Sequence, residues 1–104
     1  MKKVRVFAAC ALGQSISFLS EKMVEAAKKY DIELIIEQNT IDELHSINLD
    51  GYDVILVAPH VKWHAKRIRK QTNVPVEEIE GFIFAIMDGE SAVKNYILPH
   101  VKDE

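Results

Sequence analysis

Residues 4–17 read Val-Arg-Val-Phe-Ala-Ala-Cys-Ala-Leu-Gly-Gln-Ser-Ile-Ser, and this stretch decides the fold. Val4–Ala9 is an apolar run of the kind that forms a buried strand. A short segment of small and hydroxyl-bearing residues follows, and a helical pattern begins after it. This order places Cys10 near a helix N-terminus, where free backbone N–H groups and the helix dipole favour negative charge.

Cys10 is the only cysteine among the 104 residues. The field at a helix N-terminus lowers the pKa of a thiol and makes it nucleophilic, so a reactive thiol is one interpretation. A small buried hydrophobe is the other, because free cysteine is among the most buried residue types. Its place at the end of the apolar run, with Gly13 and two serines following, favours the reactive thiol. A single cysteine forms no internal disulfide and fits a reducing cytoplasm.

Strand-like and helix-like segments alternate along the rest of the chain. One helical face is apolar from Ile16 to Tyr30, and a capping-box pattern opens a short helix at Thr40. Asp88 is a favoured type of N-cap for a last helix, which Pro99 should kink or end. The predicted strands are residues 4–9, 34–36, 54–58 and 76–79, and the predicted helices are residues 16–30, 40–47, 61–71 and 88–99.

This order predicts a single domain over residues 1–104 with an α/β three-layer sandwich architecture. Its core is a four-stranded, mainly parallel sheet flanked by helices. In such sheets, ligands bind beyond the carboxyl ends of the strands, near a topological switch. Cys10 follows the first strand and Pro59–His64 follows the third, so we expect both at this edge. His60 and Trp63 are candidates for contact with a phosphate or a partner.

Composition excludes several functional classes. No run approaches the ~20 apolar residues that a membrane span needs, and no leader resembles a signal peptide. The net charge of −3 gives no global case for nucleic-acid binding. The histidines His45, His60, His64 and His100 lack metal-ligand spacing, so we expect no metal and no cofactor.

A basic run of five residues spans Lys62 to Lys70, with Trp63 and His64 interleaved. It could receive an acidic partner or RNA. A solvated helix face is the alternative, because charged residues mostly stay exposed.

The loop after Cys10 has the properties of a phosphate cradle. Phosphoryl transfer needs an in-line nucleophile and donors around the equatorial oxygens. Backbone N–H groups from Ala11 onward supply donors, and Gly13 permits the unusual backbone angles. Ser15 and Ser17 either add hydroxyl donors or cap the helix. Cysteine-dependent phosphatases use C-x5-R, and Ile16 occupies the arginine position here.

These residues resemble a known family. The strand ending in cysteine, followed by C-x-x-G-x-S-x-S, is similar to the enzyme IIB component of the lactose/cellobiose (chitobiose) class of the bacterial phosphoenolpyruvate:sugar phosphotransferase system. Length, element order, Ala58-Pro59, Val74-Pro75-Val76 and Asp88-Gly89 also match. Ala11, Gln14 and Ile16 stand where the family usually has serine, methionine and threonine, and His60 stands where members often have glutamine.

The resemblance implies a flavodoxin-like or low-molecular-weight-phosphatase-like fold and a cytoplasmic phosphocarrier. Cys10 would take phosphate from a phosphohistidine of the IIA partner and pass it to a sugar held by the membrane-embedded IIC partner. The loop residues implied to cradle the phosphate are Ala11, Leu12, Gly13, Gln14, Ser15, Ile16 and Ser17.

The implied partner surface is an exposed rim around Cys10 that includes Leu12, Ile16, His60 and Trp63. The resemblance implies a peripheral protein that reaches the membrane through IIC, and we expect a monomer that neither enters the membrane nor binds nucleic acid. Two alternatives stay open. One is a regulatory or degenerate IIB-like module without transport, and the other is a phosphatase-like hydrolase.

Overall fold

The computed structural model of the chain describes residues 2–10, 16–40 and 48–101. Within these ranges, four strands form one sheet in the order β2-β1-β3-β4, and each neighbouring pair is parallel. The strands are β1 (Lys2–Cys10), β2 (Ile32–Thr40), β3 (Val54–Val57) and β4 (Val76–Glu78). The predicted α/β architecture with a four-stranded parallel sheet is confirmed.

The helices cover the two faces of this sheet. The step from β1 to β2 runs in the opposite direction to the step from β3 to β4, so right-handed crossovers place the intervening helices on opposite faces. The helices are α1 (Ser17–Ala27), α2 (Ala65–Gln71), α3 (Gly81–Ile86) and α4 (Gly89–Ala92). Shorter 3₁₀ segments are Lys28–Tyr30, Leu49–Gly51, Pro59–His64 and Leu98–His100, and Val93–Ile97 forms π-type turns.

The apolar periodicity of α1 determines which face it buries. The predicted inward residues Leu19, Met23 and Ala27 are fully buried, whereas Glu21 and Lys22 are exposed. All four residues of β3 are buried, as its unbroken apolar character predicts for a strand covered on both faces. The predicted short helix that opens at Thr40 falls mainly on residues 41–47, outside the described ranges, and Thr40 itself ends β2.

Residues 61–71 are not one regular helix, so this prediction is wrong in part. Pro59 starts a 3₁₀ segment because its fixed φ suits a helix start, and Val61 departs from helical angles at φ −126° and ψ 18°. The α-helical part is confined to α2. The predicted inward residues Val61, Ala65 and Ile68 are nonetheless buried.

The carboxyl-terminal third contains a helix that sequence analysis missed. The run Phe82–Ile86 is apolar without helical spacing, so periodicity gives no indication of α3. This helix ends at Met87, which adopts the left-handed conformation at φ 54°. As predicted, Asp88 then caps α4 by accepting a hydrogen bond from the Ser91 N–H at 3.1 Å. Hydrogen bonds from the Ser91 hydroxyl and N–H hold the pKa of Asp88 below its usual value.

A polar network joins β1, β2 and the turn before β3. The Arg5 guanidinium donates to Glu37 and to the Gly51 carbonyl, both at 3.0 Å, and lies over the Tyr52 ring. The Tyr52 hydroxyl donates to Glu37. Hydrogen bonds from Tyr52 and then Arg5 lower the pKa of Glu37, while burial and the bond to Glu37 raise the pKa of Tyr52.

Candidate functional site

Cys10 is the last residue of β1 and lies at the carboxyl edge of the sheet. It pairs with Thr40 at the end of β2, while the preceding Ala9 pairs with Val57 at the end of β3. The Ala58 N–H donates to the Ala9 carbonyl at 3.0 Å, which extends the contact one residue beyond β3. The chain leaves β1 towards β2 on one side and leaves β3 towards β4 on the other, so the topological switch point lies between the carboxyl ends of β1 and β3. Cys10 lies there, at the edge of the sheet that the sequence predicts.

The Cys10 side chain is fully buried. Its neighbours along and after the strands are small, with Ala8, Ala9 and Ala58 equally buried. The end of an apolar run therefore does not mean exposure here, and that part of the argument against a buried thiol is wrong. The position at the switch point is independent of burial, and it is what distinguishes Cys10 from an ordinary core residue.

The predicted phosphate loop is only partly described. Ala11, Leu12, Gly13, Gln14 and Ser15 lie outside the described residues. Ile16 precedes α1 as its N-cap, and its carbonyl accepts from the Ser20 N–H at 2.9 Å. The Ile16 side chain is 1% exposed, so the expectation that it belongs to an exposed rim is wrong. Its position one turn before Leu19 turns it into the core.

Ser17 does not cap the helix that it opens. Its hydroxyl donates to the Gln38 side-chain oxygen at 3.0 Å, which ties the start of α1 to β2. In the described part of the chain, no side chain caps the amino end of α1. The first backbone N–H groups of an uncapped helix have no intrahelical partners and attract anions. Residue 16 contributes no charged or hydroxyl side chain, so any anion binding there would depend mainly on the backbone.

The segment after β3 reaches the same edge of the sheet as Cys10. His60 is exposed, and its ring meets Phe84 of α3 edge to face with centroids 5.9 Å apart. Trp63 is 72% exposed, and its ring lies 3.6 Å from that of His64. His60 and Trp63 are therefore on the surface, as predicted for contact residues. Phe84 is not predicted from the sequence as part of this site, because the helix that carries it has no apolar period.

The described residues hold no group of three or more His, Cys, Asp or Glu side chains that could bind a metal ion. None of the helices in these ranges is long and apolar enough to cross a bilayer.

Fold and site together define a class of protein, a parallel α/β domain with a thiol at the switch point of its sheet. Residues 5–95 match the family model described as the lactose/cellobiose-specific IIB subunit of the phosphotransferase system. The chain belongs to this family, which confirms the resemblance drawn from the sequence. Membership implies phosphotransferase activity in general terms, together with IIA and IIC partners.

Two solved structures are similar over nearly the whole chain. One is the lactose-specific IIB component domain of the phosphoenolpyruvate:carbohydrate phosphotransferase system from Streptococcus pneumoniae. It has a TM-score of 0.79 at 18% identity, over 97% of this chain and 100% of the other. The second is the cellobiose-specific phosphotransferase IIB component from Borrelia burgdorferi, with a TM-score of 0.72 at 27% identity, over 94% of this chain and 92% of the other.

Proposed function

We propose that this chain is a cytoplasmic phosphocarrier whose nucleophile is Cys10. It accepts a phosphoryl group from a phosphohistidine of IIA and passes it to a sugar resembling cellobiose, lactose or chitobiose that IIC holds in the membrane. The observation that carries the proposal is the position of Cys10, at the switch point of a parallel sheet in a member of the IIB family. Residues 1–104 act as one domain and as a monomer.

The first transfer is a substitution at phosphorus. The Cys10 thiolate attacks the phosphohistidine, so that an S–P bond forms as the N–P bond breaks, and the imidazole retains the electron pair. In the second transfer, a sugar hydroxyl attacks phosphorus and gives up its proton, and the Cys10 thiolate leaves. Both steps need an in-line approach and donors for the equatorial oxygens. The proposed donors are the backbone N–H groups from residues 11 to 17, at the uncapped start of α1.

Burial of Cys10 sets a condition on this chemistry. Reacting atoms must approach to about 3–3.5 Å, so whatever covers the thiol must give way when a partner docks. His60 and Trp63 are exposed at the same edge of the sheet, and we assign them to the docking surface. Docking also excludes water from the phosphocysteine, which limits its loss by hydrolysis.

The test is intact-mass spectrometry of the purified chain after incubation with phosphoenolpyruvate, the general phosphotransferase proteins and a cellobiose-class IIA. We expect the mass of one phosphoryl group to be gained by the parent and not by Cys10→Ser. Adding membranes that contain IIC and the sugar should then remove the group and yield sugar phosphate. No gain of mass with several IIA partners would contradict the proposal.

A regulatory or degenerate module is the second candidate, and the loop composition favours it. Ala11 and Ile16 replace two hydroxyl-bearing residues usual in the family, and the Ile16 side chain is turned into the core. Such a module would show no sugar phosphate in the same assay. Residue 16 also counts against a hydrolase, because it is isoleucine and not the arginine that binds phosphate in cysteine-dependent phosphatases. Steady turnover of an aryl phosphate would revive that alternative.

A further inference from the structure

The two edges of the sheet differ in length and in what protects them. β4 has three residues and follows Pro75, and its Val76 carbonyl accepts a hydrogen bond from Arg69 at 2.8 Å. β2, at the other edge, has nine residues in unbroken register with β1 and contains no lysine, proline or glycine. Proteins commonly protect an exposed edge with lysine, with proline or with a bulge. Residues 32–40 have none of these, so the β2 edge is open to pairing.

Alternate residues of β2 direct their backbone groups away from the sheet. The Lys2 N–H donates to the Asp31 carbonyl at 3.1 Å, which fixes the pattern of the parallel ladder. Odd-numbered residues of β2 therefore bond to β1, and Ile32, Leu34 and Ile36 direct their N–H and C=O groups outward. Within the described residues, no hydrogen bond reaches these outward groups. They are available to a strand that adds alongside β2.

A groove runs between this edge and α1. Val24 of α1 and Ile36 of β2 are half-buried and form its apolar walls. Its charged residues are Glu21, Glu25 and Lys28. The volume of the groove is about 510 Å³, which is within the range of ligand-binding clefts and large enough to take side chains of a bound segment.

The groove has a net negative charge, from two carboxylates and one ammonium group. Glu21 and Glu25 are exposed and lie one turn apart on α1, and neither makes an ion pair with a residue that the structure describes. Unpaired carboxylates attract a basic partner. They repel nucleic acids, acidic proteins and anionic lipids, so the charge of the groove selects among classes of partner.

The opposite face of β2 offers an apolar contact. Ile35 is on this face and is 37% exposed. Glu33 lies 3.9 Å from Lys3 of β1, and both belong to the same face. Glu37 accepts from Arg5 of β1 at 3.0 Å. The acids on this face are therefore already paired. Because side chains alternate between faces, a strand alongside β2 would place one set of side chains in the groove and the other beside Ile35.

We propose that the β2 edge binds an extended protein segment whose side chains alternate between basic and apolar, as a fifth strand of the sheet. The backbone of the segment pairs with the outward groups of β2. Its basic side chains lie in the groove, with their stems on Val24 and their charged ends at Glu21 and Glu25. Its apolar side chains cover Ile35.

Other occupants match these features less well. A small organic cation would use the carboxylates but would leave the outward backbone groups and Ile35 without a partner. A second copy of β2 contains no basic residue to place in the groove. The proposal goes beyond phosphoryl transfer and does not depend on it, because binding is measured on the protein alone.

The probe is a synthetic seven-residue peptide that alternates valine and lysine, added at low salt to protein labelled with ¹⁵N. We expect the amide signals of Leu34 and Ile36 to shift and their exchange with solvent to slow, because these N–H groups gain partners. The Ile35 N–H already bonds to β1, so its exchange rate should stay unchanged and serves as the internal reference.

Two double variants test the role of charge. Glu21→Gln, Glu25→Gln should weaken peptide binding about fivefold at low salt, and added salt should reduce the difference. Glu80→Gln, Glu90→Gln is the matched control, which removes the same charge from exposed residues outside the groove. It should bind within about twofold of the parent. Circular dichroism checks that both variants are folded.

Two further probes separate strand pairing from attraction between charges. A peptide that alternates valine and glutamate should not bind. Spermidine carries the same number of ammonium groups as the lysine peptide but no peptide backbone, so it should leave the exchange of Leu34 and Ile36 unchanged. The proposal is overturned if the lysine peptide does not bind, if spermidine slows exchange equally, or if both double variants weaken binding equally.

Discussion

The helices on the two faces of the sheet differ in how closely they pack and in what they present to solvent. On one face, α4 crosses α1 so closely that a Cβ on Gly89 would lie 2.4 Å from the Lys22 carbonyl carbon. On the other face, α2 buries Ala65 and Ile68 but presents mostly cations outward. The outer side of α1 carries the acidic Glu21 and Glu25 beside Lys22, whereas α2 carries no acid.

The two layers therefore contribute differently to stability. The α1–α4 layer provides close packing, and the bond from Ser17 to Gln38 ties the start of α1 to β2. The α2 layer presents Lys66 and Lys70 to solvent, and like charges four residues apart on a helix do not stabilise it. Substitutions at the contact between α1 and α4 should therefore change the free energy of unfolding much more than substitutions of the exposed lysines of α2.

The largest effect is expected for Gly89→Ala. The added Cβ would overlap backbone atoms of Lys22, which no side-chain rotation can relieve, so α1 and α4 must move apart. We expect a loss of about 3 kcal/mol in the free energy of unfolding, measured by urea denaturation. Gly81→Ala is the control, because a Cβ there meets nothing within 4 Å. Equal losses in both variants would remove close packing as the explanation.

Tyr52→Phe tests the polar network that joins β1 to β2. The variant removes the hydroxyl that donates to Glu37, with an expected loss of about 1 kcal/mol at neutral pH for a partly exposed site. The folded pKa of Glu37 lies below its ordinary value of 4.5, so the network stabilises fully above that value. This stabilisation is lost as pH falls through the folded pKa.

The difference between Tyr52→Phe and the parent should therefore shrink in acid. Denaturation curves at neutral and acidic pH measure it. Tyr30→Phe is the control, because its hydroxyl makes no hydrogen bond within the described ranges, and it should show no such pH dependence. A Tyr52→Phe loss that stays constant down to acidic pH would show that Glu37 is not the partner that matters.

Ser20→Ala should stabilise the protein by about 1 kcal/mol. Ser20 is buried in α1, and its hydroxyl has no hydrogen-bond partner within the described residues. Alanine removes an unsatisfied polar group and is a better helix former. Ser17→Ala on the same helix is the contrast, because it breaks the bond to Gln38 and should destabilise by a similar amount. Thermal unfolding distinguishes the two signs, and a loss in Ser20→Ala would indicate a missed partner.

The smallest effect is expected for Lys66→Gln on α2. Lys66 and Lys70 are like charges four residues apart on α2, so removing one of them should change the free energy of unfolding by no more than about 0.5 kcal/mol, in the stabilising direction. Urea denaturation at low salt maximises the difference, and high salt should abolish it. A clear loss of stability would mean that Lys66 has a structural partner, and the contrast between the two layers would fail.

The sequence by itself determined the order of the four strands along the chain, the parallel sheet and the place of Cys10 at its edge. Those features follow from local patterns, namely apolar runs, the inward face of α1 and the cap at Asp88, each of which spans a few neighbouring residues. The loop motif also indicated the family. The helix α3 was not predicted, because Phe82–Ile86 is apolar throughout and shows no helical period.

Only the tertiary structure decided which side chains of the candidate site are covered. Burial of Cys10 depends on residues distant in sequence, and it is enclosed although its place at the end of the apolar run argued against burial. Ile16 is buried as the apolar face of α1 predicts, and not exposed as its assignment to the rim around Cys10 required. Contacts between elements also decide the role of Ser17, whose hydroxyl bonds to Gln38 of β2 instead of capping α1. They likewise require glycine at position 89, because a side chain there would overlap the backbone of Lys22. Local periodicity fixes the elements, whereas contacts between elements fix the site.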